Sequence, residues 1–162
     1  MSIVKNISIY PIKSAAGIDL SVSWVGNFGL SFDRRFILSD PSGSFITART
    51  DPTLCLIQVH LMPDGIVLNA PNMPALKVIY SAFSNDYQSV TVWGDKINAQ
   101  HCLAQYDMWF SQYLERPCQL LFFGENSQRK VDKFSNSVAF ADGYPLLLIS
   151  QASLDDLNEK AN

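Results

Sequence analysis

Lys13, Ser14, Arg34, Arg35 and Arg49 all sit at the ends of short apolar runs and carry the groups that an anion site needs. Lys13 and Ser14 close the run Tyr10-Pro11-Ile12, Arg34 and Arg35 open Phe36-Ile37-Leu38, and Arg49 closes Phe45-Ile46-Thr47-Ala48. Arginine can hold a phosphate through two parallel N–H bonds, lysine supplies a point charge, and a Ser14 or Thr47 hydroxyl donates a further bond. If the strand ends converge at a barrel rim, these side chains form one cradle. Charges in the same places also protect exposed strand edges from pairing with other chains, so spacing alone leaves both readings open.

Other chemistries find less to work with. His60 and His101 are the two histidines, and neither stands in a nucleophile or metal arrangement. No G-x-G-x-x-G, G-x-x-x-x-G-K-[ST] or H-E-x-x-H string occurs. Cys55, Cys102 and Cys118 are odd in number and form no C-x-x-C pair, so they read as reduced thiols rather than a disulfide framework or zinc site.

The elements that position the cations read as strands. Up to about residue 100 the chain alternates short apolar runs with turn residues, the pattern of an all-β barrel or sandwich nearly free of helix. Runs at 4–12, 20–25, 35–39, 44–48, 54–61, 66–68, 75–80 and 89–93 are the expected strands. Asp40-Pro41-Ser42-Gly43 suits a type I turn that would make a hairpin of the third and fourth runs. Leu103, Tyr106, Phe110 and Leu114 follow helical spacing and predict one helix near 103–114, stopped by Pro117. A strand at 119–123, an exposed polar loop containing Arg129 and Lys130, and a buried strand at 145–150 follow. A helix beginning near Leu154, capped by Ser153 and Asp156, has an apolar stripe of Leu154, Leu157 and Ala161 with nothing after it to pack on.

Composition bounds the partners. With 162 residues at 18.1 kDa, 48% hydrophobic and 17% charged, the chain can bury a substantial core. Twelve basic against fifteen acidic residues give a net charge of −3 and a pI near 5.2, which argues against a broad nucleic-acid face and confines any anion site to a local cluster. The longest apolar run, Leu146-Leu147-Leu148-Ile149, is far too short to span a bilayer, and Lys5, Asn6 and Lys13 interrupt any signal-type segment. No membrane or nucleic-acid partner is expected, and the expected compartment is the cytoplasm.

At the basic motifs the sequence resembles a known family. Tyr-Pro-Ile-Lys-Ser-Ala-Ala-Gly at 10–17, Phe-Asp-Arg-Arg-Phe-Ile-Leu at 32–38 and Phe-Ile-Thr-Ala-Arg-Thr-Asp-Pro at 45–52 resemble the N-terminal β-barrel domain that precedes MOSC domains. Val92-Trp93-Gly94-Asp95 and the helix with Trp109-Phe110-Ser111 fit the same family, and Phe140-Ala141-Asp142-Gly143-Tyr144-Pro145 resembles the opening of MOSC itself. The resemblance is to bacterial YcbX-type proteins and mitochondrial amidoxime-reducing components. It implies a mainly β fold: a barrel domain over 1–124, an exposed linker over 125–138, and an incomplete MOSC domain over 139–162 that ends after one strand and one helix.

The functional implications follow from that likeness. A molybdenum cofactor (molybdopterin) would lie between barrel and MOSC domain, with Lys13, Ser14, Arg35 and Arg49 as the matching cofactor-binding positions. The partners would be the rest of the MOSC domain and a ferredoxin-like or flavin electron donor, with a possible [2Fe–2S] group in a downstream domain. The family's metal-binding Cys lies beyond Asn162, so no residue here is a metal ligand or catalytic group by this likeness. The leading expectation is thus the cofactor-binding part of an oxidoreductase that reduces N-hydroxylated compounds, inactive alone. A stand-alone anion- or partner-binding barrel and a piece of a sulfur-transferring MOSC protein are the alternatives.

Overall fold

A computed structural model describes residues 3–131 and 136–161. The strands come in chain order as β1 (Ile7–Ile9), β2 (Ile18–Leu20), β3 (Val25–Gly26), β4 (Gly29–Leu30), β5 (Phe36–Ser39), β6 (Gln58–Met62), β7 (Gly65–Asn69) and β8 (Leu76–Ile79). After them come β9 (Tyr87–Val92), β10 (Asp95–His101), helix α1 (Ala104–Tyr113), β11 (Gln119–Phe122), β12 (Lys130–Val131), β13 (Asn136–Ser137) and helix α2 (Gln151–Ala161). The mainly β class with two α-helices agrees with the pattern of short runs and frequent turns.

The centre is an antiparallel sheet in the order β5-β11-β10-β9. Strand β5, at one end of this order, is buried at every residue from Phe36 to Ser39, which is why Phe36-Ile37-Leu38 runs apolar instead of alternating. Phe36, Leu38 and Leu120 point into a core shared with α1 and the sheet β6-β7-β8, where Leu54, Ile66, Leu68, Val78, Tyr106 and Phe110 pack. Ile37 and Leu121 point the other way, onto Val90, Val92, Ile97, Phe123 and Phe140. Each fully buried Ile, Leu or Phe contributes roughly 1.5–3 kcal/mol. Two faces of one sheet therefore hold two cores together.

Polar ties fix the register of these layers. The Tyr106 hydroxyl accepts from the Ile79 amide at 3.1 Å, and the Trp109 indole donates to the Pro74 carbonyl at 2.8 Å, fastening α1 to β8 and the loop before it. Asp107 accepts from the Leu120 amide at 2.8 Å and lies 2.6 Å from His101, so this histidine serves the packing of α1. The Asp40–Gly43 turn forms as expected: Gly43 donates to the Asp40 carbonyl at 3.0 Å, and the Asp40 carboxylate accepts from the Ser42 and Ser44 amides. Only single bridges follow it, Ser39 to Phe45 and Ser44 to Thr91, so the run at 44–48 docks on the sheet edge without a ladder.

Three expectations need correction. The first hundred residues hold no α-helix among those described, as expected, but the strand expected at 54–61 begins only at Gln58, because Pro52 opens a 3-10 turn over Pro52–Leu56, its fixed φ suiting the first helical position. The polar loop after Gly124 is not wholly exposed: Arg129 is buried at 6% exposure, and Val138 to Ala141 after it are buried, Ala139 and Phe140 within the second core. Residues 132–135 of that expected linker lie outside the described residues. The run at 145–150 is not a buried strand; Leu147 and Leu148 are 91% and 92% exposed and no ladder partner stands beside them among the described residues. An apolar run without a neighbouring strand has neither hydrogen-bond partners nor a face to cover it.

Candidate functional site

Residues 10–14 lie across the start of β5 and set the site. The amides of Arg34 and Phe36 donate to the Tyr10 and Pro11 carbonyls at 2.8 and 2.9 Å, and the Lys13 amide donates back to Phe36 at 2.9 Å. The Asp33 carboxylate, buried at 5% exposure, takes the Tyr10 amide at 2.7 Å and both contacts from the Arg34 guanidinium. Neighbouring residues of the two paired segments consequently face opposite sides. Tyr10, Lys13, Ser14 and Arg34 line one cavity of about 300 Å³, while Pro11, Arg35 and Phe36 line another of about 530 Å³.

The smaller cavity gathers Lys13, Ser14, Arg34, Thr47 and Arg49 from three separate segments, with Trp93, Cys55 and Asp142 completing the wall. Arg34 stacks over Tyr10 at 4.4 Å and Arg49 over Trp93 at 4.8 Å. Lys13 is 7% exposed; its ammonium donates to the Phe140 carbonyl at 2.9 Å and to Asp142 Oδ1 at 2.5 Å. The Trp93 indole donates to the same Oδ1 at 2.7 Å. Burial pushes the Lys13 ammonium below its ordinary pKa despite Asp142, whereas the Lys13 and Trp93 hydrogen bonds outweigh desolvation and hold Asp142 below the usual carboxylate value. With Lys13 paired to Asp142 and Arg34 to Asp33, Arg49 leaves the cavity with a net positive charge in a protein of net charge −3.

Two further features mark this wall. Ser14 and Arg34 both have left-handed backbones, φ 72° and 46°, a conformation that side-chain-bearing residues take at some cost and that recurs at ligand sites. Arg129 holds the opposite side: it pairs with Asp95 at 2.8 Å and donates to the carbonyls of Ala139, Ala141 and Asp142, fixing the segment that presents Asp142. Arg34 stands among the strand-end cations read from the sequence but not among the positions matched by the family likeness, and Arg129 stands in neither set.

Residues 1–117 match the family described as MOSC N-terminal beta barrel domain. The chain belongs to that family. Among curated proteins, this MOSC barrel is 29% identical to mitochondrial amidoxime-reducing component 1 of Mus musculus, over 97% of this chain and 50% of that protein. It is 31% identical to mitochondrial amidoxime reducing component 2 of Rattus norvegicus, covering 97% and 51%, and 28% identical to human molybdenum cofactor sulfurase, covering 99% and 20%. The chain thus spans about half the length, or less, of the curated relatives it matches.

Lys13, Ser14 and Arg49 of the MOSC barrel meet at one cavity; Arg35, expected with them, does not. Cys102 and Cys118 are buried free thiols, both pushed up in pKa by burial, and Cys55 is exposed at the cavity edge. Among the described residues no group of three or more His, Cys, Asp and Glu is placed to hold a metal ion, and no helix is long and apolar enough to cross a membrane.

Proposed function

We propose that this MOSC barrel forms one side of a molybdenum-cofactor cleft, with Lys13, Ser14, Arg34 and Arg49 taking the anionic end of molybdopterin, in a protein that reduces N-hydroxylated compounds. The observation that carries the reading is the meeting of these four side chains, from three segments, around one small positive cavity. The residues fit such a group. Arg49 is exposed, lies over the Trp93 ring and has no carboxylate hydrogen-bonded to it among the described residues, so its guanidinium is available for bidentate contact. Arg34 is pre-aimed by Asp33, and Ser14 offers a hydroxyl on a left-handed backbone. Lys13 and Trp93 both donate to Asp142 Oδ1, leaving Oδ2 open to accept an N–H from a heterocycle.

When bound, the cofactor supplies the redox chemistry, and the barrel binds and orients it. Arg35 opens to the far side of the segment, and Arg34 takes its place in the cleft. The remainder of a MOSC domain closes the cleft, and a flavin or ferredoxin-like partner, or a [2Fe–2S] domain further along the same chain, delivers electrons. Alone, the chain performs no turnover.

Dialysis of the 162-residue chain against molybdopterin, read by fluorescence of the oxidised pterin, tests the binding step. Saturable binding is expected, weakened about tenfold by Arg34→Ala and by Arg49→Ala, the loss of one charge-assisted contact. No binding, or binding indifferent to both substitutions, overturns the reading. The likeness to human molybdenum cofactor sulfurase supports a second assignment, sulfur transfer. A longer chain carrying the MOSC domain, assayed with an N-hydroxylated substrate and an electron donor, separates the two.

A further inference from the structure

The larger cavity, on the other side of the 10–14 segment, belongs to no part of the cleft above. Its volume of about 530 Å³ is in the range of small-molecule sites. Phe36, Tyr80, Phe83 and Phe122 form its wall, in mutual ring contact at 4.9–6.2 Å, and the amide side chains of Asn85, Gln100 and Asn126 edge it. Flat apolar walls with a polar edge select a flat ligand.

Arg35 sets the charge of that ligand. Among the described residues the other half-buried or buried arginines each pair with a carboxylate: Arg34 with Asp33, Arg116 with Asp51, Arg129 with Asp95. Arg35 has none. Its Nη2 donates to the Phe123 carbonyl at 2.7 Å, its guanidinium lies over Phe28 and Phe122 at 5.3 and 5.1 Å, and its buried Nε has no partner at all. The one carboxylate at this cavity, Glu125, is exposed on the rim and accepts no hydrogen bond from Arg35. A guanidinium taken out of water without a counter-charge is costly unless an anion completes it.

We infer that this cavity is a second binding site, for a planar aromatic anion whose acidic group pairs with Arg35 while its ring lies among Phe36, Tyr80, Phe83 and Phe122. The site does not depend on the cofactor reading, because no cation of the other cavity faces it.

Calorimetric titration with 2-naphthoate, and with 2-naphthylmethanol as its neutral counterpart, tests the inference. Saturable one-to-one binding of naphthoate is expected, with the alcohol and the Arg35→Gln variant each at least about tenfold weaker, as loss of a charge-assisted pair requires. Asn85 is exposed at the mouth, so Asn85→Trp should block the cavity without disturbing the core, and Lys77→Gln, which removes an exposed charge elsewhere, should bind as the parent does. Absence of saturable binding, equal affinity for acid and alcohol, or full binding by Asn85→Trp overturns the inference. Should Arg35→Gln fail to fold, the acid–alcohol comparison and Asn85→Trp decide it.

Discussion

Arg34 and Arg35 are adjacent, alike in charge and opposite in surroundings, so replacing each should read out differently. Arg35 packs its stem and guanidinium on two rings and satisfies the Phe123 carbonyl, whereas Arg34 is fixed by Asp33 at a cavity wall. Arg35→Ala is expected to lower stability by about 1–2 kcal/mol through lost packing and one unsatisfied carbonyl, measured by urea unfolding. A change within about 0.5 kcal/mol, the usual range for surface charges, would place Arg35 on the rim instead. Which of two neighbouring arginines enters a site is a question of strand phase, and the string Asp33-Arg34-Arg35-Phe36 does not state it, because Arg34 sits in a left-handed bend that breaks the alternation. At the same scale, burial raises the Cys118 thiol from 9.0 to about 11. The folded state then keeps a proton that the unfolded chain releases, so stability falls as pH rises from 9 toward 11. Melting temperatures across that window should fall less steeply for Cys118→Ala than for the parent; parallel curves would count against the burial of the thiol.

At the scale of elements, turns and close approaches decide what is tolerated. β9 and β10 join through Trp93 and Gly94, both left-handed at φ 52° and 98°, the pair of conformations a two-residue hairpin needs. A methyl at Gly94 meets nothing within 4 Å, so Gly94→Ala costs only backbone strain, about 1 kcal/mol. Gly65 begins β7, and a Cβ there would stand 2.0 Å from the Val78 carbonyl oxygen in β8. That contact cannot relax without parting the ladder, so Gly65→Ala should cost several-fold more than Gly94→Ala in chemical denaturation, and equal losses would contradict the pairing. The strands with strong apolar runs, β5 through β9 and β11, were legible, as was α1. β10 was not, because only Ile97 and Ala99 mark its buried face among Asp95, Lys96, Asn98 and Gln100. Arg129 was equally hidden. Its burial depends on carbonyls at 139–142 and on Asp95, partners a local reading of a polar stretch does not supply.

At the scale of the whole molecule, both cavities and both cores are built by residues 9–142, and the chain after them contributes little to either. α2 has no buried residue, and Leu146 to Ile149 before it are all more than half exposed. Its order comes from local bonds, Ser150 capping the Ser153 amide at 3.1 Å and Lys160 reaching Asp156 at 2.8 Å, each contributing a few tenths of a kcal/mol to about one. The helix was legible because its spacing is local, but it starts at Gln151 with Ser150 as the cap instead of near Leu154 with Ser153 and Asp156, and the strand expected before it was not realised because a strand needs a neighbour. The barrel's stability should therefore be independent of α2. Removing residues 151–162 is expected to leave the melting temperature within about 2 °C of the parent, the shift that corresponds to a few tenths of a kcal/mol in a domain of this size. Naphthoate affinity at the Arg35 cavity should stay unchanged as well. A fall of 5 °C or more, on the order of 1 kcal/mol or above, would mean that α2 packs on the barrel and that its apolar stripe has a partner within this chain.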